Sequence, residues 1–198
     1  MPLFEGPSAA PARGAAAASL PAPFQALFPA LLLTFLLTLP LAGCSPALDW
    51  REVRPADTGA QLLLPCKPAS HARELTLAGQ KVRMVLHACR AADTTWAVAW
   101  AELADPARTG PALAELKAAA AANIGASLLE PLAGRTAGET PNPNAGRFAV
   151  SGRLPDGQPV QGRVVLAARG PAVMQVTALG PRPEAAALDT FVDSLRLR

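Results

Sequence analysis

The chain has 198 residues, Lys+Arg 18 against Asp+Glu 15, a formal net charge of +3 and 51% apolar residues. That length excludes more than one ordinary domain, and that apolar fraction excludes a wholly disordered chain. The basic residues are dispersed, with no run of Lys or Arg, which excludes a dedicated nucleic-acid binder.

Residues 14–48 carry no charged side chain. Within them, residues 24–41 are nearly continuously apolar, from Phe24 through Leu31, Leu32, Leu33, Phe35, Leu36 and Leu37 to Leu41. An apolar core followed by small residues is the layout of a secretory signal. Pro29 and Pro40 argue against a regular membrane-spanning helix here. The segment ends Leu41-Ala42-Gly43-Cys44, which resembles the lipobox of bacterial lipoproteins at all four positions. The residue types fit that chemistry. Small Ala42 and Gly43 let the backbone enter a protease cleft, and the Cys44 thiolate is the nucleophile that accepts a diacylglyceryl group. Two or three acyl chains then give stable anchoring where one would not. The resemblance implies a signal peptide over 1–43, cleavage before Cys44 and a lipidated tether over 44–57. In that family the residue after the lipidated cysteine directs sorting. Ser45, rather than Asp, implies the outer membrane, facing the periplasm.

Cleavage leaves about 155 residues, enough for one domain with a real core. The tether's later part, with Leu48, Trp50 and Val53, is expected to pack on that domain, which is taken as 58–198. Residues 61–64 form a short apolar run that stops at Pro65-Cys66-Lys67-Pro68, where two prolines exclude a central strand. Residues 73–77 alternate. So do 82–89, with Val82, Met84, Leu86 and Ala88 on one face and Arg83, Val85, His87 and Cys89 on the other. A turn over 91–94 leads to a strand over 95–103 with Trp96, Val98 and Trp100 on one face, a hairpin signature. Asp105-Pro106 and Thr109-Gly110-Pro111 are competing helix starts. Leu113, Leu116, Ala120 and Ile124 follow at helical spacing, and Gly125 suits the C′ position. Residues 132–146, with Gly134, Gly138, Pro141 and Pro143, read as loop. Strands are predicted over 147–153, 159–168 and 172–179, and a final helix over 184–195 with Leu188, Phe191, Val192 and Leu195 as its apolar stripe.

The order β-β-β-β-α-β-β-β-α predicts an α+β fold, an antiparallel sheet of about six to seven strands packed with two helices. That order, ending in Phe191-Val192-Asp193-Ser194-Leu195, is similar to the PsbP-like α/β/α sandwich. Asp49-Trp50-Arg51-Glu52 and Leu64-Pro65-Cys66-Lys67-Pro68 resemble uncharacterised lipoproteins of Burkholderia-type bacteria. These motifs are structural. The PsbP-like resemblance implies a binding or assembly module.

With Cys44 lipidated, Cys66 and Cys89 remain. In an oxidising periplasm they are expected to form a disulfide, contributing roughly 3 kcal/mol. A sharper alternative joins Cys66, His71, His87 and Cys89 as a metal set, but the spacings do not fit common zinc patterns. For nucleophilic catalysis Ser127, Ser151 and Ser194 are available, without a Gly-x-Ser-x-Gly elbow. His71, beside Pro68-Ala69-Ser70, falls in a turn-like stretch, and His87 sits on a strand face. A deep cleft joining His87 to a serine and a carboxylate would point to a hydrolase. Glu102 and Asp105 flank a helix start, where they favour the dipole, and Asp189 and Asp193 read as a solvated face. Trp96 and Trp100 are read as core packing under a helix rather than as a ligand stack. No catalytic or cofactor motif emerges, so no cofactor is expected. The sequence therefore points to a non-enzymatic binding, scaffold or envelope-maintenance module. Its expected partners are a membrane reached through the lipid anchor and either an envelope protein or a small apolar ligand. A periplasmic hydrolase and a metal-handling protein are the alternatives.

Overall fold

The alternating runs of the sequence become hairpins in a computed structural model that describes residues 47–56, 58–126 and 129–198. Five strands come first: β1 (Arg51–Val53), β2 (Ala60–Leu64), β3 (Ala69–Leu77), β4 (Gln80–Ala91) and β5 (Thr94–Glu102). A single 3-10 turn (Pro106–Arg108) leads into helix α1 (Thr109–Asn123). Then come β6 (Glu130–Leu132), β7 (Gly146–Arg153), β8 (Pro159–Arg169), β9 (Ala172–Gly180), helix α2 (Ala185–Asp193) and β10 (Arg196–Leu197). The fold is α+β, with two helices and two antiparallel sheets. The large sheet has seven strands in the order β3-β4-β5-β9-β8-β7-β6, and the small one has the order β1-β2-β10.

Local chemistry sets the turns. Ala78 and Gly79 between β3 and β4, and Ala92 and Asp93 between β4 and β5, all take positive φ, the condition for a two-residue hairpin turn whose twist matches the strands. Both helix starts read from the sequence are used. Asp105 Oδ1 accepts from Ala107 N at 2.9 Å to begin the 3-10 turn, and α1 begins at Thr109. Gly125, at φ +60°, ends α1 just beyond Ile124.

The seven-stranded sheet is covered on both faces. On one face Leu77, Val82, Met84, Phe148, Val150, Val164 and Val173 pack with Leu113 and Ile124. On the other, α2 and the small sheet pack Phe191, Val192, Leu62 and Leu64 against Trp96, Val98, Val165 and Val176. Leu48, Trp50 and Val53 join this second cluster, so the chain packs on the domain well before residue 58. Ser194 Oγ accepts from Leu63 N at 2.9 Å and donates to Phe191 O at 2.6 Å, tying the end of α2 to β2.

Coverage of the α1 face is incomplete for a geometric reason. Seven strands at about 4.8 Å spacing make a sheet of roughly 29 Å, whereas one helix is about 10 Å across. α1 lies over β8 and β9. Ala145 of the loop before β7 packs against the cluster on one flank of the helix. On the other flank β3, β4 and β5 extend beyond it.

Four local expectations are corrected. β3 begins at Ala69, so Ser70 and His71 lie in a strand and not in a turn. The two prolines fall just past β2, which leaves β2 free to be the central strand of the small sheet. Part of the predicted loop over 132–146 is claimed by β6, which ends at Leu132. Leu195 is fully buried but lies beyond the end of α2.

Candidate functional site

The sulfur chemistry is fixed first. Cys66 and Cys89 form a disulfide with their Cα atoms 5.9 Å apart. It joins the connection after β2 to β4, and so links the two sheets. Antiparallel register then separates the imidazoles. His71 pairs with Leu86 and Ser70 pairs with His87, and successive side chains of a strand point to opposite faces. His71 therefore lies on the α1 face and His87 on the opposite one. The set Cys66, His71, His87 and Cys89 does not converge, and among the described residues no group of three or more His, Cys, Asp or Glu side chains is placed to hold a metal.

His87 lies in a cleft of about 500 Å³ whose walls include Arg54, Thr58, Ser70, Arg83, Trp100 and Glu102. Its ring meets Trp100 edge-on, centroid to centroid 4.8 Å. Nδ1 is buried without a hydrogen-bond partner, and desolvation holds the imidazole below its ordinary pKa of 6.5. Ser70, which no sequence motif marks, stands directly across from His87. A carboxylate also lines the cleft, but not within reach. His87 pairs with Val98, and Glu102 is four residues further along β5, about 13 Å away at the strand's rise. A hydrolytic triad needs an acid hydrogen-bonded to the imidazole to hold its tautomer, and this geometry does not supply Glu102 in that role. Of the other serines, Ser194 is occupied between β2 and α2, Ser151 is exposed on β7, and Ser127 lies outside the described residues, as does Cys44.

Trp96 and Asp193 have structural roles. Trp96 is 1% exposed, stacks edge-on with Phe191 at 5.1 Å and donates from Nε1 to Ala91 O at 3.2 Å. Asp193 is not simply solvated: it pairs with Arg147 of β7.

A different site occupies the open flank of α1. A groove of about 580 Å³ runs between the helix and the β3-β4-β5 side of the sheet. Leu75, Leu77, Met84, Leu86, Ala99, Leu116 and Ala119 make it largely apolar, and His71, Arg73, Glu115, Asn123 and Gln175 supply its polar lining. Its volume is within the usual range for small-molecule sites. Glu115 Oε2 accepts from Ala78 N at 2.7 Å, holding the helix against the β3-β4 turn at one end of the groove. The sequence gives each of these residues its strand or helix, yet the groove arises from the mismatch between sheet width and helix width. Compared with protein-family models, curated proteins and solved structures, the chain finds no match.

Proposed function

We propose that the chain is a lipid-anchored envelope protein, held through Cys44 on the periplasmic side of the outer membrane, that binds an apolar ligand and does not transform it. The anchor reading rests on Leu41-Ala42-Gly43-Cys44 and the apolar run before it. A helix on each face of the sheet agrees with the α+β order read from the sequence. The observation that carries the binding function is the groove beside α1: largely apolar, with a polar part to its lining, and not closed by any side chain of the described residues.

Two measurements test this. Cys44→Ala should lose labelling by a fatty-acid analogue and remain as unprocessed precursor; a mutant that is still labelled rules out the anchor. For the groove, the full chain carried in amphipol and held on beads should retain tritiated hexadecanol. Ala119→Trp places an indole in the groove from an exposed helix position and should abolish retention without changing the melting temperature. Absence of hexadecanol retention by the unmutated chain removes the binding function.

A further inference from the structure

We propose that the groove takes a single long acyl chain ending in an acidic headgroup, oriented with that headgroup at Arg73 and His71. The inference rests on the groove being the binding site and adds the class and direction of its ligand.

The register supplies the direction. His71, Leu86, Ala99 and Gln175 lie in one row across β3, β4, β5 and β9, and Arg73 and Met84 begin the next row. Going down β3 on the groove face, the side chains change from His71 and Arg73 to Leu75 and Leu77. The six steps from His71 to Leu77 span about 20 Å at the rise of a strand, the length scale of a long acyl chain. The polar end therefore faces one way and the leucine end the other.

Charge reinforces this order. Glu115 is the one carboxylate among the described lining residues, and it sits at the leucine end against Ala78 N. Arg73 has no carboxylate within ion-pairing distance among the described residues. An acidic headgroup is thus repelled from one end and attracted to the other. The helix wall supplies the width. Glu115, Ala119 and Asn123 recur every four residues along one side of α1, and small Ala119 lies midway between the other two, with small Ala99 on the facing sheet in the His71 row. This leaves room for one chain along β3.

The test compares two ligands that differ only at the head, palmitate and hexadecanol, on the full chain in amphipol. Palmitate should bind about 1.5- to fivefold more tightly at low salt, the range for an exposed charge pair, and high salt should erase the difference. Arg73→Gln should remove most of the preference for palmitate over hexadecanol. Arg73→Lys should keep the preference, and the melting temperature of each variant checks its folding. Equal binding of the two ligands, with Arg73→Gln silent while Ala119→Trp still blocks both, would overturn the headgroup assignment and leave the groove standing. If neither ligand is retained, the groove itself fails as a site.

Discussion

Burial at His87 opposes its protonation, and the consequence for stability has a definite sign. Desolvation lowers its pKa in the folded chain below the ordinary 6.5. The groups around it in the cleft give no compensating anion at close range. Arg83 and Arg54 are cationic, Arg54 is already paired with Glu52, and Glu102 is four residues along β5 from the position opposite His87. Below the unfolded pKa the unfolded chain takes up a proton that the folded chain resists. Stability is therefore full above about 6.5, falls as pH drops through that value, and levels off below the lowered folded pKa. Melting temperatures compared at about pH 7.5 and 5.5 should fall for the unmutated chain, and fall less for His87→Gln. Equal slopes would mean that the ring is hydrated in the folded state. His71 makes an instructive contrast. Pro68 is a strong turn signal, so the stretch after it reads as turn. The backbone instead enters β3 at Ala69 because Ala88 and His87 of β4 are there to pair with it, a non-local cause that no local pattern announces.

At the scale of elements, the long pieces were legible and the short ones were not. β4, β5, β8 and β9 each alternate or run apolar over nine residues or more, enough for periodicity to dominate. β1, β6 and β10 hold three, three and two residues, too few to carry a period, and exist because a partner strand lies alongside. β10 depends on β2, more than 130 positions earlier in the chain. The Cys66–Cys89 disulfide was legible from the cysteine count and the compartment that the lipobox resemblance implies. Its role as a link between sheets was not, since that requires knowing that β2 and β4 belong to different ones. The link closes a separation of 23 residues, worth about 3 kcal/mol in the loop-entropy description. Cys66→Ala with Cys89→Ala should lower unfolding stability by about that amount in urea titrations, with the fold retained. Complete loss of folding would show that the small sheet depends on the covalent link to dock. The groove eluded sequence reading for another reason: each lining residue reads correctly as core, and only the number of strands set against one helix shows that part of the core face stays open.

In the whole molecule, the large sheet has two ends that differ in kind. At one end, β6 is three residues long and contains Pro131, features that discourage further pairing. At the other end is β3, nine residues long with its first six exposed, and among the described residues no strand pairs with its outer side. Its protection against a second strand is charge, Arg73 on the groove face and Glu74 on the other. Replacing Glu74 and Thr76 by Val would leave the second face of β3 without charge. Sedimentation velocity should then show size rising with concentration for that variant and not for the unmutated chain, and identical profiles would show that β3 is blocked by shape alone. The open margin of β3 matters most where copies share a surface. If Cys44 carries the proposed anchor, copies would diffuse in two dimensions, and lateral strand exchange would be governed by surface density rather than by bulk concentration; the two charged side chains on β3 would then set the density at which copies begin to zip together.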